Sequence, residues 1–341
     1  MSRGKVLITG SGGLVGSEAV KYFSKHFDNV IGIDNDQREK FFGASVKSQI
    51  EKNNEIKNYI HREWDIRKRL PEPLPLDIKL VIHCAAQPSH DWATNNVIED
   101  FEINTLGTVY LMEVIRDNCP NAVTIITSTN KIYGDFPNDL SYHEEEKRFT
   151  PTWETAAKNG FDETVPMDNQ KHSFFGCSKA AADLYVQEYG KYLGMKTGIF
   201  RCGCITGSSH AGAKLHGFLS YLIKCAKEDL PYTVIGFQGR QVRDQIHAYD
   251  LVTAFHEFYK NPKQGEVYNM GGGTHSNCSI LEAIEIIEEL LGKKMKISFD
   301  ETPRIGDHKW WVSNVDKFKK DFPEWEYKYN INSILKEMCN V

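Results

Sequence analysis

The apolar positions of the first two hundred residues fall into two alternating patterns. Short runs at 5–9, 29–34, 59–65, 79–84, 122–128 and 196–201 are rich in Val and Ile, and several lack polar alternation. Strands of that kind suit a sheet covered on both faces. Longer stretches with helical spacing lie between them at 14–26, 94–118 and 177–193. Strand, helix, strand in repetition predicts a doubly wound α/β fold with a parallel sheet. The segment 136–170 breaks this rhythm. It is polar, contains Glu144-Glu145-Glu146 and carries Pro137, Pro151 and Pro166. It reads as a long insertion over the end of the sheet. Past about 205, helical patterns at 215–229, 249–259 and 279–291 alternate with short strands at 232–236, 266–270 and 295–299. These predict a smaller α/β lobe at 206–341, interleaved with the domain at 1–205. A ligand is then expected between that lobe and the carboxyl ends of the strands.

Composition narrows the function classes. The 341 residues are 40% hydrophobic and 26% charged, ordinary usage for a soluble globular chain. Acidic residues exceed basic ones, 46 to 41, giving a net charge of −5. That balance argues against a general nucleic-acid binder. No apolar run approaches the length of a membrane span. The N-terminal stretch leads into a glycine turn and is too short for a signal peptide. The eight cysteines are scattered, with no CxxC pair, which predicts reduced thiols and no metal site. A cytoplasmic protein is expected.

Candidate chemistry begins at Thr9-Gly10-Ser11-Gly12-Gly13-Leu14-Val15-Gly16, directly after a strand and before a helix. Gly10 permits the tight turn, Gly13 the approach of a pyrophosphate, and Gly16 close packing of helix on strand. The helix N-terminus then faces the phosphates. Asp34, with Asn35 beside it, closes the second strand. A carboxylate there accepts ribose hydroxyls and repels a 2′-phosphate, which favours NAD over NADP. The first domain is therefore of Rossmann type. Asp65-Ile66 and Ala85-Ala86-Gln87 follow the third and fourth strands and fit the same pocket. Asn104 lies in a helical pattern, and if buried it needs partners.

Two further segments are Ser128-Thr129-Asn130-Lys131-Ile132-Tyr133-Gly134-Asp135 and Phe175-Gly176-Cys177-Ser178-Lys179-Ala180-Ala181-Ala182-Asp183. With the glycine motif, they resemble the extended short-chain dehydrogenase/reductase family, the nucleotide-sugar epimerases and dehydratases. The markers Arg243-Asp244-Gln245-Ile246-His247, Asn269-Met270-Gly271-Gly272-Gly273 and Arg304-Ile305-Gly306-Asp307 agree in order. Within the family these strings look most like the CDP-paratose (CDP-tyvelose) 2-epimerases. The resemblance implies an NAD-dependent epimerase acting at C2 of a CDP-hexose through a keto intermediate, and a homodimer built from helices at 94–118 and 177–193. It implies that Lys179 binds the nicotinamide ribose, with Ser128 beside the cofactor. Thr129 and Asn130 would hold the reacting sugar, while Arg243 and Arg304 would hold the substrate diphosphate and Asp307 would also bind substrate.

One residue departs from the pattern. The family's Tyr-x-x-x-Lys here begins with Phe175, and a phenyl ring exchanges no proton. Lys179 directly or through a water, His172, Cys177 or Tyr133 could take the proton instead, or Phe175 is an engineered replacement. The sequence also leaves open a dehydratase or decarboxylase on the same scaffold, and a non-catalytic nucleotide-sugar-binding protein. A family dehydratase would carry Asp-Glu where Asn130-Lys131 stands. Cys177 is expected in the core. Trp310-Trp311 is expected either on a nucleotide base or in the core of the smaller lobe.

Overall fold

A computed structural model describes residues 3–68, 74–207, 217–304 and 306–340. Seven strands form the large sheet: β1 (Lys5–Thr9), β2 (Asn29–Ile33), β3 (Tyr59–Arg62), β4 (Ile78–His83), β5 (Val123–Thr129), β6 (Thr197–Cys202) and β7 (Glu266–Met270). Their order is β7-β6-β5-β4-β1-β2-β3. The pairs β1–β2, β1–β4, β2–β3 and β4–β5 are parallel. The order reverses between β1 and β4, where a doubly wound sheet opens a crevice at its carboxyl edge. Leu7, Val81, Ile126 and Ile199 of the sheet pack with Met112, Ile115 and Val186 of the helices in one core. The doubly wound fold is as expected.

The six upstream strands lie within a few residues of their predicted bounds. The helical pattern at 94–118 proves discontinuous: Val97–Phe101, a π turn at Glu102–Leu106, then Gly107–Asn118. The helix of the Lys179 segment, called α3 here, starts earlier than predicted, at Ser173, and ends at Lys191. Before it, α1 is Leu14–Phe23 and α2 is Gly107–Asn118. Strand β7, grouped by sequence order with the smaller lobe, joins the large sheet instead.

Contacts divide the chain into two compact units. The first is 1–129, 174–201 and 251–268; the second is 130–173, 202–250 and 269–341. In the second, Val242–His247 pairs antiparallel with Asn277–Ser279 and parallel with Cys204–Thr206 and Trp310–Trp311. Helices Phe218–Lys227, Ile280–Leu291 and Ile331–Cys339 share its apolar core. Positions 215–216 of the predicted helix lie outside the described residues. The polar segment at 136–170 is more ordered than a loop. It holds the hairpin Tyr142–Glu144/Phe149–Pro151 and the helix Glu154–Asn159. Its buried Phe161 ring lies 5.2 Å from the rings of both Trp310 and Trp311. Both tryptophans are thus core residues of this unit.

Candidate active site

In the first unit, the chain turns sharply after β1. Gly10 has φ +68°, and a Cβ there would stand 2.8 Å from the Ala85 nitrogen. A Cβ on Gly16 would stand 2.0 Å from the Gly10 carbonyl oxygen. Only glycine fits either place. Gly13 is the N-cap of α1 and offers no side-chain cap, so the first N–H groups of α1 remain for an anion. Leu14 and Val15 open that helix. Asp34 accepts hydrogen bonds from the Gly12 nitrogen at 2.9 Å and the Asp36 nitrogen at 2.8 Å. Burial raises its pKa, opposed by those two bonds. A carboxylate has further lone pairs for ribose hydroxyls. Asn35 is half-buried beside it. The glycine cradle, uncapped helix and carboxylate fit a dinucleotide.

The remaining cofactor candidates are tied into the protein. Asp65 is bonded to the Arg67 guanidinium at 2.6 Å, which overcomes the desolvation that would raise its pKa and holds it below the usual carboxylate value. Ile66 packs on Gly107, where a Cβ would meet it at 2.9 Å. Ala85 and Ala86 lead to Gln87, whose nitrogen donates to Asn104 Oδ1 at 2.9 Å. Asn104 Nδ2 donates to the Gln87 carbonyl and to Ser178 Oγ, each at 3.0 Å. Asn104 therefore bridges the loop after β4 to α3. It sits in the π turn, whose wider geometry interrupts the predicted helix. Ser128 donates to Asp183 at 2.7 Å, and Asp183 is ion-paired with Arg201 at 2.9 Å in a dry interior.

Lys179 Nζ donates to the Thr127 carbonyl at 2.7 Å, which fixes its side chain beneath the end of β5. Thr129 is the last residue of β5, and Asn130 begins the next turn, buried. Phe175 is buried one helical turn before Lys179. Its ring meets that of His90 edge-on, with centroids 4.9 Å apart. Cys177 is exposed, contrary to the core placement expected, because α3 turns it away from Phe175 and Lys179.

In the second unit, Tyr133 is fully buried, donates to Asn269 Oδ1 at 2.8 Å and stacks on Trp311. His172 Nε2 is 2.7 Å from the Met167 carbonyl, while its Nδ1 is buried without a hydrogen-bond partner among the described residues. Arg243 pairs with Asp307 and not with its neighbour Asp244. Successive residues of a strand point to opposite faces, so Asp244 turns inward. A cavity of about 400 Å³ is lined by Arg304, Asp307, Lys171, Lys309, Asp135 and Asn138. Its three cations suit a diphosphate. His247 stacks on Tyr329, and Asp250 accepts the Lys328 and Tyr329 nitrogens, both structural roles.

Lys171, Lys309 and His83 went unnoticed in the sequence, and the burial of Lys131 was not foreseen. Lys171 and Lys309 carry no motif. Lys131 donates to the Gly306 carbonyl at 2.8 Å, and burial, with Arg243 nearby, lowers its pKa to about 8. In the first unit, His83 Nδ1 lies 2.6 Å from Thr9 Oγ1 and Nε2 2.9 Å from Thr108 Oγ1. Thr108 already donates to the Asn104 carbonyl, so His83 carries its proton on Nε2. A His in a strand run of Val and Ile was the available signal. Among the described residues no cluster of ligands could hold a metal, and no helix is long and apolar enough to cross a membrane.

The family model described as the NAD dependent epimerase/dehydratase family matches residues 6–271. A CDP-paratose 2-epimerase of Salmonella typhi is 29% identical, over 98% of each chain. A dTDP-glucose 4,6-dehydratase of Salmonella typhimurium is also 29% identical, over 84% of this chain and 76% of that one. The fold is shared with the UDP-glucose 4-epimerase of Thermus thermophilus, solved in complex with NAD. That likeness has a TM-score of 0.77 at 23% identity, over 98% of each chain.

Proposed function

The chain belongs to the NAD-dependent epimerase/dehydratase family, and on that premise we propose that it inverts C2 of a CDP-hexose through a transient 2-keto sugar. The observation that carries this reading is the end-to-end match to a CDP-paratose 2-epimerase, 98% of each chain. The cofactor is NAD, which when bound takes up a hydride and gives it back, so none is consumed. The glycine turn and the N-terminus of α1 hold its phosphates, and Asp34 holds a ribose. Lys179, fixed by Thr127, binds the second ribose. Its charge favours loss of a proton from a nearby hydroxyl. Thr129 and Asn130 hold the sugar oxygen. Arg304, Lys171 and Lys309 bind the diphosphate. Arg243 acts on that site through Asp307, which it orients.

A second reading, dehydration, is favoured by the dTDP-glucose 4,6-dehydratase relative. Against it, Asn130-Lys131 offers no Asp-Glu pair for acid–base elimination. Product mass separates the two. The purified protein incubated with CDP-, GDP- and UDP-hexoses is expected to give an isomer of unchanged mass from the CDP-sugar. Loss of one water would support dehydration instead. We also propose a homodimer. Leu184, Tyr185 and Leu193 after α3's start, and Ile98, Phe101 and Tyr110 on the 97–118 segment, are large apolar side chains left at least 44% exposed. A second copy would cover them.

A further inference from the structure

We infer that His90 exchanges the proton of the reacting sugar hydroxyl, in place of the phenol that Phe175 lacks; the inference rests on the epimerase reading above. Each of the groups first considered for this task is either committed to a hydrogen bond or turned away from Phe175. Tyr133 donates its hydroxyl hydrogen to Asn269. His172 Nε2 is engaged by the Met167 carbonyl, and its Nδ1 is buried. Lys179 donates to Thr127, and Cys177 is turned outward on α3.

What singles out His90 is its position beside Phe175. It is half-buried, and its ring packs on the Phe175 ring at 4.9 Å. An imidazole therefore abuts the position where the family pattern has a phenol. The juxtaposition is held by hydrogen bonds. His90 opens the short helix His90–Asn95, and Ser89 caps it by accepting the Trp92 nitrogen at 3.2 Å. Gln87 Nε2 holds the Ser89 carbonyl at 2.9 Å and Asp100 at 2.7 Å. Asn104 ties Gln87 to Ser178, and Ser178 Oγ donates to the Phe175 carbonyl at 3.1 Å. One buried network thus clamps the loop that carries His90 to the helix that carries Phe175 and Lys179.

The chemistry suits an imidazole, whose ordinary pKa of about 6.5 lets it both take and return a proton near neutrality. In the forward half, the C2–H bond breaks as hydride passes to the oxidised nicotinamide, C2=O forms, and the hydroxyl proton moves to a ring nitrogen of His90. In the return half, hydride re-enters C2 from the other face and the imidazolium gives the proton back to the oxygen. The balance closes without a further oxidant or base. The charged and titratable groups on the surrounding elements are Asp91 on its own helix, Glu99 and Asp100 on Val97–Phe101, Cys177 and Lys179 on α3, and Arg38, Glu39 and Lys40 on Gln37–Phe42, which packs on Trp92.

The test uses the holoenzyme and the variants H90Q, F175Y and H90Q/F175Y, with bound NAD measured in each. H90Q is expected to lose ~10²-fold or more in kcat, the range for removing a general acid–base group, with NAD content unchanged. In the native enzyme kcat/KM is expected to fall on the acid side, where a protonated imidazole no longer accepts the hydroxyl proton; H90Q is expected to lack that limb, and H90Q/F175Y to recover turnover through its new phenol. A purely structural role for His90 would give no such rescue. Independently of activity, CDP-hexose is expected to slow carbethoxylation of His90, read by peptide mass spectrometry. H90Q within threefold of native turnover, or His90 unprotected by a CDP-hexose that is turned over, would overturn the inference and leave the epimerase reading standing. Native enzyme with bound NAD that alters none of the CDP-, GDP- or UDP-hexoses would overturn that reading and this inference with it.

Discussion

His83 in the first unit and Asp244 in the second are both cut off from water, and burial moves their pKa values in opposite directions. His83 falls to about 3 and Asp244 rises to about 6. They also differ in partners. Both nitrogens of His83 are engaged by threonine hydroxyls. Asp244 Oδ2 accepts the Gly273 and Ser313 nitrogens, but Oδ1 has no partner among the described residues. A neutral imidazole in a closed network costs little to bury, whereas a carboxylate with one bare oxygen is better buried protonated. These two groups are therefore expected to contribute acid responses of opposite sign. Between about pH 3 and 6.5 the unfolded chain binds more protons at His83 than the folded one, so this contribution is present above pH 6.5 and lost as pH falls toward 3. At Asp244 the folded state binds more protons, so stability is present below about pH 4 and lost as pH rises through 6.

The largest expected effect sharpens the comparison by damaging one unit alone. Arg201→Met strands the buried Asp183 carboxylate and is expected to cost ~3–5 kcal/mol. Amide hydrogen exchange in β5 and β6 should report it, with smaller changes in Val242–His247. His83→Gln tests the acid limb. It is expected to flatten the loss of first-unit protection between pH 6.5 and 4, a dependence on the order of a few kcal/mol in the parent. An unaltered pH slope would break the comparison. Asp244→Asn should remove that residue's share of the opposite slope in the second unit, worth roughly 2–3 kcal/mol between pH 4 and 7. Gly16→Ala forces a Cβ against the Gly10 carbonyl and is expected to cost ~1–3 kcal/mol, together with loss of NAD on gel filtration. The smallest effect on folding belongs to Leu184→Glu, expected to halve the molecular mass measured by light scattering while leaving unit stability within about 0.5 kcal/mol.

The first unit was far more legible than the second. Fully covered strands write themselves as runs of Val and Ile, and the glycine turn needs specific residues at specific places. The helix at 94–118 misled because hydrophobic spacing cannot register a single π turn, here the one that contains Asn104. The strand at 266–270 was visible as a strand, but nothing local says which sheet it enters. Partner choice was hidden for the same reason. Arg243 is adjacent to Asp244 in sequence, yet strand alternation sends them to opposite faces and Asp307 becomes the partner. The cations of the cavity, Lys171 and Lys309, are indistinguishable in sequence from surface lysines. His90 had no motif, and only the fold brings its ring to Phe175.

Proton NMR of the native enzyme with a CDP-hexose in D2O tests the central claim most directly. Hydride that leaves C2 and returns to the opposite face never exchanges with solvent. The account predicts a 2-epimer that keeps its protium at C2, with no net change in bound NAD. Deuterium at C2 of the product would mean that a proton, not a hydride, is exchanged there, and would contradict the account.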